Sequence, residues 1–176
     1  MSLTEDLRKT IRTIPGFPKE GINFRDITTV LADQRLMSKI TQRFESEVKQ
    51  YRPTAIAGPE ARGFIFGPLL AERLALPFIP IRKPGKLPFE KISIDYSLEY
   101  GTNTLEMHAD AVRSGDRVIL IDDLLATGGT VEASSTLLSR TGATPVCACF
   151  VIELDGLGGR DRLSPLPIHS LIHFPA

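Results

Sequence analysis

Two adjacent aspartates, Asp122 and Asp123, stand between a run of apolar residues and a loop of small residues, an order of residue types suited to binding a sugar phosphate. The apolar run Val118–Ile121 predicts a fully buried strand, and Val131–Arg140 predicts the helix after the loop. Small residues let backbone N–H groups crowd around a phosphate, and the helix N-terminus adds partial positive charge. The carboxylates follow the strand, where ligands bind in open α/β sheets, and ribose hydroxyls or a metal ion are their natural partners. The loop consists of Ala126, Thr127, Gly128, Gly129 and Thr130.

Other interpretations fit this segment less well. An ordinary strand-to-helix turn also contains glycines, but the pair of carboxylates and the threonines on both sides of Gly128–Gly129 are unusual in such a turn. The nucleotide-triphosphate loop has a lysine after its last glycine, whereas Thr130 and Val131 follow here. The dinucleotide fingerprint needs three spaced glycines, which the segment lacks. We therefore predict a phosphate-binding loop.

Two further segments place cations after predicted strands. Gly58–Gly63 follows a buried strand, precedes a helix and carries Arg62, so it predicts a second anion site, although a solvated arginine in a connection would have the same pattern. Arg82–Lys86 packs three cations into five residues directly after the next predicted strand. The residues alone leave a solvated turn and a pyrophosphate contact equally open for this second segment, in which Lys83 and Lys86 are the candidates.

Two stretches depart from the alternation of strands and helices. Ile14–Asp26 is rich in proline and glycine and is predicted to be an ordered loop; its Phe24, taken alone, is more typical of a core aromatic residue than of a platform for a base. Lys83–Leu105 is polar and charged, and apolar residues alternate along Ile92–Tyr96, which indicates a hairpin or a folded-over loop. Binding sites tend to be formed by such connecting segments near the ends of strands.

The other elements alternate between helix and strand. The helix Asp33–Tyr51 has an apolar residue every four positions, and Asp33 can cap its start. Strands are also predicted at Thr54–Ala57, Phe78–Ile81 and Pro145–Leu154, helices at Leu3–Arg12 and Phe64–Leu76, and a short helix followed by an edge strand at Ser170–Phe174 in the tail. This order predicts an α/β fold with a mainly parallel sheet flanked by helices.

Length and composition indicate one globular domain of ordinary charge. The chain has 176 residues, of which 42% are hydrophobic, and its 21 basic and 21 acidic residues give a formal net charge of zero, which counts against a nucleic-acid or membrane-surface binder. No apolar stretch approaches the roughly 20 residues that span a bilayer, and Met1–Thr13 lacks the apolar core of a signal peptide. Cys147 and Cys149 share one face of a predicted strand and are interpreted as apolar fillers in a reducing compartment. A cytoplasmic protein is expected.

The run Asp122–Thr130, Asp-Asp-Leu-Leu-Ala-Thr-Gly-Gly-Thr, resembles the phosphoribosyl-pyrophosphate (PRPP) motif of the type I phosphoribosyltransferases, most closely that of their adenine-specific members. Four other stretches are similar to segments of those enzymes: Gly58–Gly63 to a pyrophosphate loop, Arg82–Pro88 to a cationic loop, Ser97–Gly101 to the catalytic lid and Ile22–Asp26 to the adenine hood. The resemblance runs from about Ile14 to Phe174. It implies the type I fold in a single domain, residues 1–176, with a hood at 1–32 and a flexible lid loop at 83–105.

The resemblance also implies roles for single residues. The backbone of the loop 126–130 would bind the 5′-phosphate, and Asp122 and Asp123 would hold the ribose hydroxyls, directly or through metal-bound water, with no direct metal ligand assured. Glu99, which would take the proton on N7 of adenine, and Arg62 would be the catalytic residues. The pyrophosphate-binding set would be Glu60, Ala61, Arg62, Lys83, Lys86 and Tyr100, with Glu60–Ala61 at a position where the family often has a cis peptide.

The base would be held by the adenine-binding set Asn23, Phe24, Arg25 and Leu124. Phe24 and Leu124 would cover the two faces of the ring, and backbone groups beside Phe24 would read its edge. The family often has an aliphatic residue where this chain has Asn23, and recognition through the backbone tolerates that difference.

The reaction implied is a pentosyl transfer from PRPP to adenine, giving AMP and pyrophosphate in purine salvage, with Mg²⁺ and by a homodimer. Hard oxygen ligands suit Mg²⁺. Two alternatives stay open: an enzyme for another base, such as xanthine or orotate, and a non-catalytic regulator on the same fold that senses PRPP or purines. A regulator would usually carry an added basic DNA-binding segment, for which this chain has neither spare length nor net positive charge.

Overall fold

A five-stranded parallel sheet forms the centre of the protein in the structure, a computed structural model that describes residues 2–97 and 102–176. The strands are β1 (Arg12–Pro15), β2 (Asn23–Asp26), β3 (Ala55–Pro59), β4 (Phe78–Ile81), β5 (Lys91–Ser97), β6 (Thr102–His108), β7 (Arg117–Leu125), β8 (Thr144–Asp155) and β9 (Ile168–Pro175). The helices are α1 (Leu3–Thr10), α2 (Thr28–Leu31), α3 (Gln34–Val48), α4 (Gly63–Leu74), α5 (Gly129–Arg140) and α6 (Gly159–Arg162), with a 3₁₀ turn at Lys49–Tyr51. The order in the central sheet is β4-β3-β7-β8-β9, with every neighbouring pair parallel.

The two faces of β7 explain why the sheet is covered on both sides. Ile119 and Ile121 pack into a cluster with α1, α3 and α4, whereas Val118 and Leu120 pack into a second cluster with α5 and the β5–β6 pair. All four side chains are fully buried, as expected for a parallel strand with helices on both faces. The predicted α/β fold is therefore confirmed, and β9 lies at the edge of the sheet as predicted.

Helix α3 follows from its sequence pattern. Asp33 caps the helix by accepting hydrogen bonds from the backbone N–H groups of Arg35 and Leu36. The apolar stripe expected from the spacing is buried in the first cluster, and it comprises Leu36, Ile40, Phe44 and Val48. Cys147 and Cys149 lie in the same cluster as free thiols, so their predicted role as buried fillers is confirmed.

The prediction of an ordered loop at Ile14–Asp26 is wrong in part, because the two ends of this stretch pair as the antiparallel strands β1 and β2. Gly16 and Gly21 adopt left-handed conformations (φ 72° and 88°), and the Gly16 N–H donates to the Ile22 carbonyl, so the chain turns back on itself. Strands this short leave little alternation to detect in the sequence.

The segment after β4 forms the hairpin that the alternation of apolar residues indicated. β5 and β6 pair antiparallel from Lys91–His108 to Ser97–Thr102. The Arg140 guanidinium at the end of α5 donates to the Ser93 carbonyl at 2.9 Å, so the hairpin packs on the helix that follows the predicted phosphate-binding loop. Among the described helices, none has both the length and the apolar character that crossing a membrane requires.

Candidate active site

A cavity of about 190 Å³ lies where β7 leads into α5. It is lined by Arg62 and by every residue from Asp122 to Val131. The structure thus brings together Arg62, both aspartates and the whole predicted phosphate-binding loop. A larger hollow of about 440 Å³ lies beneath α1, but the arginines that line it, Arg43 and Arg160, are already paired with Glu47 and Glu153.

The aspartates lie within β7 rather than after it, which corrects the predicted end of the strand at Ile121. β8 continues to pair with β7 as far as Leu125, whereas pairing with β3 ends at Leu120. Asp122 and Asp123 therefore occupy the part of β7 that β3 no longer flanks. Their carboxylates are held by a strand and not by a mobile connection, which favours precise positioning.

The start of α5 offers unsatisfied backbone donors to the cavity. Gly128 is the N-cap residue in a left-handed conformation (φ 80°), and no side chain in the described part of the protein caps the helix there. The first N–H groups of a helix have no partner within it, so they are free to bind an anion. The Thr130 hydroxyl lies 3.4 Å from the Tyr96 hydroxyl, which connects the β5–β6 hairpin with this loop.

The carboxylates form a closely coupled pair. The Asp123 N–H donates to Asp122 Oδ1 at 2.9 Å, and Asp123 Oδ2 lies 3.1 Å from Arg62 Nε. Burial and the neighbouring Asp123 raise the pKa of Asp122 well above its usual range. Burial also raises the pKa of Asp123, although Arg62 opposes the shift. Such a pair favours partners that bring positive charge or hydroxyl donors, as a ribose or a cation does.

Glycines allow the β3–α4 loop to approach this pair. A Cβ on Gly63 would lie 2.7 Å from the carbonyl oxygen of Ile121, and one on Gly58 would lie 3.1 Å from the same atom. No real side chain tolerates the shorter of these distances, so glycine is required for the loop to lie directly against β7. The Glu60–Ala61 peptide in this loop is cis, at the position where the resembling family often has a cis peptide.

The cationic segment after β4 is held by two carboxylates. Arg82 Nε donates to Glu60 Oε2 at 2.6 Å, so the Glu60 side chain is already paired. Glu106 is buried, accepts from the Gly85 N–H at 3.1 Å and pairs with Lys91 at 3.0 Å. Lys83 and Lys86 are exposed on this anchored turn. Sequence reasoning missed the roles of Arg82 and Glu106, because these depend on an isolated backbone bridge that joins the two residues, which are far apart in the chain.

The predicted adenine-binding residues lie in two places. Leu124 lines the cavity beside the aspartates. Phe24 is half-buried in β2 and packs edge-to-face on Phe17 at a centroid distance of 5.2 Å, outside the set that lines the cavity. The Arg25 guanidinium stacks over Phe174 at 4.4 Å and Asn23 is exposed, so neither side chain points to a base-reading role of its own.

Glu99 and Tyr100, two of the predicted site residues, lie outside the described residues. The described strands β5 and β6 flank them in the sequence, and the Tyr96 hydroxyl on β5 lies beside Thr130 of the predicted phosphate-binding loop. Their predicted roles stay predictions.

Comparisons with known proteins agree with this geometry. The family model for the phosphoribosyl transferase domain matches residues 27–165. An adenine phosphoribosyltransferase from a Synechococcus species is 53% identical over 169 residues, covering 96% of this chain and 99% of that protein. The crystal structure of adenine phosphoribosyltransferase from Thermoanaerobacter pseudethanolicus is similar with a TM-score of 0.94 at 48% identity, covering 98% of this chain and 100% of that one. That of the Saccharomyces cerevisiae enzyme, complexed with adenine and an imino-altritol bisphosphate, has a TM-score of 0.91 at 36% identity and covers 96% and 98% of the two chains.

Proposed function

The chain belongs to the phosphoribosyltransferase family, and we propose that it transfers the ribose 5-phosphate group of PRPP to adenine, giving AMP and pyrophosphate in purine salvage. The C1′–oxygen bond to pyrophosphate breaks, a C1′–nitrogen bond to adenine forms, and the base loses a proton. The observation that carries the proposal is the cavity in which Arg62, the aspartate pair and the loop 126–130 meet at the start of α5.

The phosphate-binding loop holds the 5′-phosphate in this proposal. Its support is the uncapped start of α5, where N–H groups and the helix dipole favour an anion. Thr127 and Thr130 add hydroxyl donors. Asp122 and Asp123 accept hydrogen bonds from the ribose hydroxyls, which lowers the cost of keeping two carboxylates together in a poorly solvated site.

Cations beside the pair assist the departure of pyrophosphate. Arg62 extends from the β3–α4 loop with 45% of its side chain exposed, so it can face a ligand while it pairs with Asp123. Lys83 and Lys86 lie exposed on the turn that Glu106 and Glu60 anchor, and Tyr100 and the peptide Glu60–Ala61 complete the set. Stabilisation of the charge that develops on a leaving group is usually the largest catalytic term.

Mg²⁺ fits these residues, because the carboxylates of Asp122 and Asp123 offer hard oxygens and lack full charge compensation. When bound with PRPP, it neutralises charge on the pyrophosphate. Either aspartate would hold it through water while also accepting from the ribose.

The base lies between Phe24 and Leu124 in this proposal, with residues 1–32 as the hood and 83–105 as the lid. Leu124 supports the assignment, since it lines the cavity directly after the aspartates. Backbone groups of Asn23 and Arg25 read the edge of the ring, and Glu99 accepts its proton. Closure of the lid protects the positively charged transition state from water.

A cytoplasmic homodimer is the state in which we expect the enzyme to work. Helix α4 is largely apolar and its Leu69 is 43% exposed, so this side chain is one that a second copy would bury. The free thiols of Cys147 and Cys149 are compatible with a reducing compartment.

The decisive experiment is to incubate the protein with PRPP and Mg²⁺ and with one base at a time: adenine, guanine, hypoxanthine, xanthine or orotate. We expect AMP and pyrophosphate in equal amounts from adenine, and no product when PRPP is omitted. If another base is converted and adenine is not, the proposal that adenine is the substrate is overturned. Binding of PRPP without turnover of any base would instead indicate a sensing regulator.

A further inference from the structure

The short helix α6 lies directly against the phosphate-binding loop, and a glycine on each side makes this contact possible. A Cβ built on Gly159 would overlap the carbonyl oxygen of Ala126 and would lie 2.9 Å from Leu125 Cδ1. From the other side, a Cβ on Gly128 would lie 3.0 Å from the Gly159 carbonyl oxygen and 3.3 Å from its Cα. Two glycines therefore face each other, and backbone packs on backbone.

Ion pairs hold α6 in this position from both ends. Arg160 pairs with the buried Glu153 of β8 through two hydrogen bonds of 2.9 and 2.5 Å. Arg162 pairs with Glu132, in the first turn of α5, at 2.8 Å. The helix is thus fixed to the strand beside β7 and to the helix after the phosphate-binding loop, and it presents Gly159 to the loop between them.

The adjacent glycine serves a different need. Gly158 has a positive φ of 70° and open space around its Cβ position, so glycine there is required by the backbone. Gly159 is a buried helical residue without a positive φ, so an alanine would fit the backbone but not the space. Alanine substitutions at these two glycines therefore separate the cost of an unfavourable backbone conformation, at Gly158, from the cost of a steric overlap, at Gly159.

We propose that Gly159 is a positioning residue for the 5′-phosphate, an inference that rests on the proposed role of the loop. The Ala126 carbonyl and the Thr127 N–H belong to one rigid peptide plane. Displacing the carbonyl oxygen therefore turns the N–H group that follows it, and both residues line the cavity. By lying flat beneath Ala126, α6 sets the direction in which the loop presents its donors.

The test compares Gly159→Ala with the matched control Gly158→Ala, using the affinities for AMP and for adenosine, which lacks the phosphate. For Gly159→Ala we expect AMP binding to weaken about tenfold or more, the effect of losing one hydrogen bond to a charged group, while adenosine binding stays within about twofold. In the same variant, the KM for PRPP should rise, whereas the KM for adenine should stay unchanged. Gly158→Ala should lower the Tm and leave the ratio of the two affinities unchanged.

An unchanged ratio in a folded Gly159→Ala protein overturns the inference. If that variant does not fold, Arg162→Ala decides, since it removes only a partly exposed ion pair between α6 and α5. A loss of AMP affinity of about threefold with adenosine unaffected supports the proposal, and an unchanged ratio refutes it. A wild-type protein that binds AMP no better than adenosine would instead refute the phosphate-binding role of the loop itself.

Discussion

Arg62 Nε lies 3.1 Å from Asp123 Oδ2, so the loop after β3 is connected by an ion pair to the strand that carries the carboxylates. The two partners differ sharply in exposure, since 45% of the arginine side chain but only 3% of the aspartate side chain is accessible. The arginine thereby compensates a buried charge and keeps an open side towards the cavity. A residue placed in this way can respond to a ligand that binds beside it.

Replacing Arg62 by alanine should therefore impair both the carboxylate pair and the handling of pyrophosphate. We expect kcat/KM for PRPP to fall about 10²- to 10³-fold, the range found when one stabilising donor is removed from an active site. Steady-state kinetics with varied PRPP would measure it, with Arg35→Ala on the exposed start of α3 as the control. Retention of near wild-type kcat/KM would show that Arg62 has no catalytic part.

Asp122→Asn should stabilise the ligand-free protein at neutral pH. The folded pKa of Asp122 is raised above its usual value of 3.8, so the folded protein binds more protons than the unfolded chain above that pH. The wild-type stability therefore falls as pH rises from about 3.8, and asparagine removes this loss while it still accepts from the Asp123 N–H. A Tm increase of about 2–4 °C for each kcal/mol gained is expected for a domain of this size.

Thermal unfolding between pH 4 and 7.5 in metal-free buffer would measure the effect, which should shrink towards the acid end. The exposed Asp110→Asn is the control. An Asp122→Asn protein that is less stable than the wild type at pH 7 would contradict the prediction, and its activity should be low in either case.

Asp26→Asn should loosen the hood. Hydrogen bonds from Arg12 and Thr28 lower the pKa of Asp26 to about 2, and the residue joins β1, β2 and the start of α2. Because this folded pKa lies below the usual 3.8, the stability that Asp26 contributes is present above about pH 3.8 and is lost as pH falls towards 2.

We expect the variant to have a lower Tm than the wild type at pH 7, and this difference in Tm should become smaller in acid. The KM for adenine should rise more than the KM for PRPP. The control is Glu20→Gln, on the exposed connection between β1 and β2. A rise confined to the KM for PRPP would argue against the hood as the base site.

Glu99→Gln should abolish most turnover while PRPP still binds. A positioned general acid or base typically contributes about 10²- to 10⁴-fold, so kcat should fall within that range. Isothermal calorimetry would follow PRPP binding beside the kinetics, with Glu90→Gln just before β5 as the control. A silent substitution would favour the sensing regulator over the enzyme.

Most of what could be predicted from the sequence concerns residues that lie close together in the chain. The sequence correctly predicted the cavity formed by Asp122–Val131, because the strand, the carboxylates, the glycines and the helix follow one another, so local backbone geometry alone brings them together. The stripe on α3 was found for the same reason, since a helix converts spacing directly into a face.

Relationships across the fold were out of reach. That the β3–α4 loop lies flat on Ile121, that Glu106 anchors the turn at Gly85, and that Tyr96 reaches Thr130 all follow from which strands become neighbours. The weakly patterned strands β1 and β2 were likewise missed, because their pairing uses backbone groups that every residue has.

The amino-acid sequence by itself determined the type of fold and the residue types of the predicted phosphate-binding loop, because both depend on local propensity and on neighbouring residues. Only the tertiary structure decided which distant groups complete that loop, such as Arg62 beside Asp123 and Gly159 beneath Ala126. The physical reason is that these distances are set by how elements far apart in the chain pack against one another. One added Cβ atom or one lost ion pair is enough to change them.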